Sequence, residues 1–117
     1  MPSNYRRIFA REENRWPSGL PRAAATLRLT PEEFSARTGI GFQAGCDDLD
    51  SFRAAGVELM SGRRVLLLWY ERAPIMDLEL RIDSRDDPVA AREEALAAFG
   101  LSHDLIAWVP DDAKPAI

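Results

Sequence analysis

The sequence has almost no cysteine, histidine or lysine. Its only cysteine is Cys46, its only histidine is His103 and its only lysine is Lys114. A single cysteine excludes an internal disulfide and fits a reducing compartment. A structural zinc site needs four cysteine or histidine ligands, which this chain does not have. We therefore expect neither a metal nor another cofactor.

The sequence also lacks a long hydrophobic run. Its longest strongly apolar stretch is residues 65–70, whereas a membrane-spanning helix needs about 20 residues. Near the N-terminus, Arg6 and Arg7 are followed by only three apolar residues. A secretory signal peptide would need an apolar run of roughly 7–15 residues. We expect a cytoplasmic protein without a membrane partner.

The basic residues are nearly all arginines scattered along the chain, which we attribute to the codon bias of a high-GC bacterium. The net charge of −4 is unevenly distributed. Residues 1–30 hold six arginines and two glutamates, whereas residues 31–117 hold nine basic and seventeen acidic groups, a net −8. Such an excess indicates either an ordinary solvated surface or an acidic face that meets a basic partner.

The length of 117 residues, with 46% hydrophobic and 29% charged residues, is typical of one globular domain. We predict a single α+β domain over residues 1–117, with residues 1–20 as an arm and loop and residues 111–117 as a frayed tail. Residues 4–10 are predicted as an edge strand or the start of the arm. Pro17 and Pro21, on either side of Ser18-Gly19, indicate a loop.

The second half of the sequence has the clearer pattern. Residues 64–71 are apolar at nearly every position, which predicts a central strand. Residues 76–82 alternate between apolar and charged, which predicts a strand with one buried face, and the two strands form a β-hairpin. Asp87-Pro88 predicts the start of a helix that ends at Gly100. Residues 105–109 are predicted as a last short strand.

The first half is less regular. Thr30, Pro31 and Glu33 predict a capped helix that ends at Gly39. Residues 20–29 are ambiguous, and the alanines favour a helix weakly. A second short helix is predicted from Asp47 or Asp48 to Gly56. Together these elements predict an antiparallel-rich sheet of about four strands with helices on one face, similar to the ferredoxin-like split βαβ arrangement.

Two short motifs resemble ligand sites but lack the required context. Residues 39–44 match G-x-G-x-x-A, yet a helix precedes them and no βαβ unit surrounds them, so a helix stop and a turn explain them. The acidic residues 47–50 do not have the oxygen spacing or the sixth-position glycine of a calcium loop. Carboxylates at a helix start are explained by the helix dipole.

The sequence also offers no catalytic or nucleic-acid-binding pattern. Ser102, His103 and Asp104 are consecutive, so their side chains diverge and cannot form a triad. The alternation of arginines and aromatics near the N-terminus is typical of RNA binding, but a pI near 5.0 and a strand at 76–82 without stacking aromatics argue against it. We expect no enzyme and no nucleic-acid partner.

The remaining interpretation is a non-enzymatic, acidic protein-binding module, of the immunity or antitoxin-like type that inhibits a basic partner. Trp16, in a loop beside Arg15, is a candidate anchor because Trp and Arg dominate interface hot spots. The alternative is a small-molecule-binding or regulatory domain that forms a homodimer through its sheet. The predicted partner-binding residues are Asp47, Asp48, Asp50, Asp83, Asp86, Asp87 and Trp16.

Overall fold

The computed structural model describes residues 5–8, 22–46, 51–71 and 78–113 as seven strands and two α-helices. The strands are β1 (Tyr5–Ile8), β2 (Arg22–Leu27), β3 (Gln43–Cys46), β4 (Ser51–Leu59), β5 (Arg64–Tyr70), β6 (Leu78–Ile82) and β7 (Ile106–Trp108). The helices are α1 (Pro31–Thr38) and α2 (Pro88–Phe99), and two 3-10 turns span His103–Leu105 and Asp111–Ala113. The predicted α+β class is confirmed.

The sheet has the strand order β1-β4-β5-β6-β2-β7, and every pair in it is antiparallel. β3 pairs with the first half of β4, and β1 pairs with the second half. β4, β5 and β6 are neighbours both in the chain and in the sheet. Leu67 of β5 lies opposite Leu80 of β6, which confirms the predicted hairpin.

Both helices contribute to one core on one face of the sheet. α2 contacts β2, β4 and β6. The Phe34 ring of α1 lies edge-on to Phe99 of α2 at a centroid distance of 5.1 Å and to Phe42 at 5.8 Å. The fully buried strand residues of this face alternate along their strands, as expected when one side of a sheet is covered. They are Leu27, Ala55, Val57, Val65, Leu67, Leu78, Leu80 and Ile82.

The predicted ends of the two helices are confirmed. At α1, the Thr30 side chain accepts a hydrogen bond from the Glu33 amide, and the Glu33 side chain accepts one from the Thr30 amide. At α2, Asp87 caps the Ala90 amide at 2.8 Å, directly before Pro88. These local bonds satisfy amides that have no partner within a helix, so both helix starts were visible in the sequence.

Two predictions for the first half were wrong. Residues 22–27 form β2 instead of a helix, and residues 51–59 form β4 instead of a short helix ending at Gly56. In β2, the buried side chains of Ala24 and Ala25 are small, and α2 packs against this strand. Gly56 pairs with Leu66 inside the sheet and does not end a helix. Tertiary packing overrode local propensity in both segments.

The predicted sheet of about four strands is also wrong in its strand number, and the ferredoxin-like order is not confirmed. The additional strands come from the segments taken for helices and from β3, whose four residues carry no strong strand pattern. In the described part of the chain, no helix is both long and apolar enough to cross a membrane.

Candidate partner-binding surface

Three of the predicted partner-binding residues lie in the turn between β6 and α2. Asp83 accepts a hydrogen bond from the Arg85 amide at 2.9 Å, and Asp87 caps α2. The side chain of Asp86 is 28% exposed, and one of its oxygens lies 3.8 Å from Nε of Arg63. The structure therefore brings Asp83, Asp86 and Asp87 together, and it also gives each of them a structural contact.

The other four predicted residues, Asp47, Asp48, Asp50 and Trp16, lie outside the described residues. Cys46 ends β3 just before the three aspartates. The involvement of these four residues in binding stays a prediction.

The β4–β5 turn brings further charges to the same place. Nη1 of Arg63 contacts an oxygen of Glu94 on α2 at 2.9 Å, and Arg64 lies 3.5 Å from Glu58. A polar crevice of about 370 Å³ is lined by Glu58, Arg63 and Arg64 together with residues of the β6–α2 turn. Glu94 adjoins this crevice through its contact with Arg63. We name this charged region the β6–α2 corner. It consists of Glu58, Asp83, Asp86, Asp87 and Glu94 with Arg63, Arg64 and Arg85.

Five carboxylates and three guanidinium groups give the β6–α2 corner a formal charge of −2. The ion pairs fix the side chains in one arrangement, because Arg63 contacts both Asp86 and Glu94. Electrostatically, the corner can attract a basic surface while holding its own arginines in place. Asp83, Asp86 and Asp87 were visible in the sequence, but Arg63 was not singled out, because its partners Asp86 and Glu94 lie far from it in the chain.

A second groove, of about 650 Å³, lies elsewhere, between α1 and β3. Phe42 and Ala44 contribute to its lining, and Arg53 lies at its edge. Arg53 forms an ion pair with Glu32, and its guanidinium lies 5.4 Å from the centre of the Trp69 ring. The hydrogen bond from Arg53 lowers the pKa of the Glu32 carboxyl. Because Arg53 is already engaged by Glu32 and the Trp69 ring, the groove offers a ligand mainly apolar contact through residues such as Phe42 and Ala44.

The three consecutive residues Ser102, His103 and Asp104 do not form a triad. The Ser102 hydroxyl accepts a hydrogen bond from the Asp104 amide at 3.2 Å, while Nε2 of His103 lies 2.5 Å from an oxygen of Glu93. Burial acts to raise the pKa of the Glu93 carboxyl, but the hydrogen bonds with His103 and Arg92 outweigh it, so the pKa is lowered. Among the described residues, no group of three His, Cys, Asp or Glu side chains could hold a metal ion.

The face of the sheet opposite the helices is partly apolar. Phe52 and Tyr70 lie edge-on with ring centroids 6.0 Å apart, and Leu66 is half-buried on the same face. An added Cβ at Gly45 would lie 2.7 Å from the Phe52 ring, so this ring covers the glycine. At the edge of the sheet, the Trp108 side chain is 50% exposed. Neither of the two described helices lies on this surface, and we name it, without Trp108, the helix-free face.

Sequence reasoning missed Met60, the most exposed large apolar residue of the described part of the chain, which is 78% exposed in the β4–β5 turn. Ser61-Gly62, directly after it, is a usable turn signal, because a methionine beside a tight turn has little chance to reach the core. The comparisons with known proteins add no family: no family model matches the chain, and neither a curated protein nor a solved structure is significantly similar to it.

Proposed function

We propose that this protein is a non-enzymatic, acidic protein-binding module whose partner is basic. The observation that supports the proposal most directly is the β6–α2 corner, where the carboxylates of β4, the β6–α2 turn and α2 outnumber the arginines. The net charge of −8 over residues 31–117 acts in the same direction. Complementary charge steers association and suppresses wrong partners, so it suits a protein that must find one basic target quickly.

An inhibitor of the immunity or antitoxin-like type, acting in a bacterial cytoplasm, is the form of this function that we propose. Such an inhibitor needs no catalytic group, only a rigid surface of complementary charge. The contacts of Arg63 with Asp86 and Glu94 supply this rigidity, because they join both turns to α2 before any partner arrives. Preorganised contacts of this kind lower the entropic cost of binding.

The first experiment identifies the partner and then measures its association. The tagged full-length chain is first used to capture proteins at low salt from cells that express it. The association rate of the purified partner is then measured at several salt concentrations. We expect Asp86→Lys to slow association by about tenfold and to weaken its salt dependence. Asp86→Asn should have a smaller effect of the same sign.

The matched control is Asp104→Lys, which makes the same charge change at an exposed carboxylate of the His103–Leu105 turn. We expect less than a twofold change in rate. If no basic protein is retained, or if Asp86→Lys associates as fast as the unmodified chain, this function is wrong. Reversal of Asp47, Asp48 and Asp50 in the same assay tests the predicted residues that lie outside the described part.

The second candidate is a small-molecule-binding or regulatory domain that dimerises through its sheet. It is favoured by the helix-free face, where Phe52, Leu66 and Tyr70 leave apolar surface accessible. Sedimentation of the full-length chain tests it: Leu66→Lys should convert a dimer to a monomer, whereas Ala107→Lys, at an exposed position of β7, should not. A monomer at all concentrations excludes the dimer, and a ligand thermal-shift screen tests for a small molecule.

A further inference from the structure

A shallow apolar groove adjoins the β6–α2 corner. It lies between the β4–β5 turn and the outer side of α2, has a volume of about 230 Å³ and is lined by Met60, Glu94, Ala97 and Ala98. We name it the Met60 groove. Its volume is that of roughly one large side chain, and Met60 forms its most exposed edge.

The edge of the Met60 groove is held rigidly. The Ser61 hydroxyl donates a hydrogen bond to one Glu94 oxygen at 2.5 Å, and Arg63 donates to the other at 2.9 Å. Gly62 closes the turn with φ +91°, and its amide donates to the Leu59 carbonyl. The exposed position of Met60 therefore follows from a turn that is fastened to α2 at both oxygens of one carboxylate.

The outer side of α2 has an unusual composition for a solvent-facing helix surface. Its exposed positions are Ala90 and Ala97, whereas Ala98 is half-buried and packs against the core, and the inner side is formed by buried residues such as Ala95 and Leu96. A helix of a monomeric protein ordinarily exposes charged and polar residues on its outer side. Small side chains allow another polypeptide to approach the helix backbone closely.

The charges around the Met60 groove determine which occupant fits. Glu94 lies within it, Glu93 precedes Glu94 on α2, and the β6–α2 corner continues from Arg63 to Asp86. A second copy of this chain would place two carboxylate-rich rims against each other. A basic polypeptide would instead gain attraction from the same rims.

We propose that the Met60 groove receives a long apolar side chain from a basic segment of the partner, with lysine or arginine residues beside it reaching the carboxylates of the rim. This inference rests on the proposed function and names the part of the surface that supplies apolar contact. Met60 suits this role because its flexible, polarisable side chain adapts to the shape of an incoming group. The arrangement combines an apolar centre with a charged rim, as protein interfaces do.

The test uses designed peptides and the full-length chain. The probe is a fluorescent 20-residue helical peptide with leucines on one side and lysines on the other, and its binding is followed by anisotropy at low salt. A peptide of the same composition in scrambled order and a peptide with glutamates in place of lysines are the reference probes. We expect the ordered basic peptide to bind at least fivefold more tightly than either reference probe.

Two substitutions then examine the groove itself. Met60→Ser removes the exposed apolar edge, and Ala97→Gln fills the groove without adding charge or opposing the helix. Both residues are exposed, so neither change should unfold the protein. We expect each substitution to lower the affinity for the ordered peptide by about fivefold or more. The matched control Ala107→Gln, at an exposed alanine of β7 outside the described grooves, should change affinity by less than twofold.

The outcomes separate this inference from the proposed function. One outcome is that basic peptides bind and that Asp86→Lys weakens this binding, whereas Met60→Ser and Ala97→Gln do not. The groove proposal is then wrong and the proposed function stands. If the scrambled peptide binds as tightly as the ordered one, the groove proposal is also overturned. If Ala97→Gln instead dissociates a dimer, the occupant is a second copy. If neither the peptides nor any basic protein bind, both proposals fail.

Discussion

The two faces of the sheet differ in how strongly their side chains are enclosed. On the helix-covered face, Val65 and Leu67 of β5 are 0% exposed. On the helix-free face, their neighbour Leu66 is half-buried, whereas Leu68 near the middle is 6% exposed. Because successive strand residues point to opposite faces, one strand serves both surfaces. This difference indicates that the helix-covered face specifies the fold, whereas partly exposed positions of the helix-free face, such as Leu66, can accept other side chains.

The register of the sheet maintains this division. A slip of β6 by one residue against β5 would move Leu80 to the helix-free face and bring the charged side chains of β6 against the helices. Glu79 and Arg81, which lie on the helix-free side of β6, form an ion pair with each other at 2.9 Å. The alternation of β6 therefore excludes the slipped pairing, because burying this ion pair under α2 would be costly.

The sharpest expected contrast between the faces involves two phenylalanines. Phe34 of α1 is 0% exposed between Phe42 and Phe99, whereas Phe52 lies half-buried on the helix-free face. Phe34→Ala should lower the free energy of unfolding by about 3–5 kcal/mol, since it leaves a cavity in the core. Phe52→Ala should cost about 1–2 kcal/mol. Urea denaturation followed by circular dichroism measures both values.

An equal loss for the two variants would show that the helix-free face is packed as tightly as the core. The comparison would then no longer hold, and the second candidate function would lose its apolar surface. Phe42→Leu is a useful third variant, because it retains an apolar side chain at a position that contacts Phe34. We expect its loss to be smaller than that of Phe34→Ala.

Adjacent leucines of β5 give a comparison within one strand. Leu67→Ala should cost about 2–4 kcal/mol, because its side chain is fully enclosed between the sheet and the helices. Leu66→Ala should cost about 1 kcal/mol, because its partly exposed side chain loses less burial. Both variants keep the same local strand propensity, so the difference in denaturation midpoint reports the face alone. A larger loss at Leu66 would reverse the assignment of the two faces.

The parts of the fold that could be predicted from sequence are those with local causes. The starts of α1 and α2 depend on side chains within three residues of Thr30 and Asp87, so both were visible. β5 and β6 could be predicted because their apolar patterns fit a central strand and an alternating one. β2 and β4 could not, because their alanines and glycine have little strand propensity and enter the sheet only through pairing with other strands.

The candidate surface was partly visible for the same reason. Asp83, Asp86 and Asp87 are neighbours in the chain, so their clustering needed no knowledge of the fold. Arg63 reaches Glu94 across 31 positions, and Ser61 reaches it across 33. Only the folded chain brings these groups together, which is why the Met60 groove had no signature in the sequence.

The two neighbouring aspartates before α2 provide a smaller test, which compares how much each stabilises the helix that covers the sheet. Asp87→Ala removes the cap of the Ala90 amide and should cost about 1 kcal/mol of stability. Asp86→Ala should cost less, because its 3.8 Å contact with Arg63 is partly exposed. Thermal unfolding of the two single variants measures the difference. Equal losses would indicate that the ion pair supports α2 as strongly as the cap does.

The smallest expected effect concerns Asp112, which lies 2.6 Å from Nη2 of Arg22 at the start of β2. The hydrogen bond from Arg22 lowers the pKa of the Asp112 carboxyl below its ordinary value of 3.8. A carboxyl whose pKa is lower in the folded state stabilises the fold above its unfolded pKa and loses that contribution as pH falls through the folded pKa. Arg22→Gln should therefore raise the titration midpoint of the Asp112 carboxyl, as measured by carboxyl-detected NMR. It should also remove the part of the stability that is lost at low pH when this carboxyl is protonated. An unchanged midpoint would show that the contact does not persist in solution, in which case the 3-10 turn at Asp111–Ala113 is not held to the sheet through this pair.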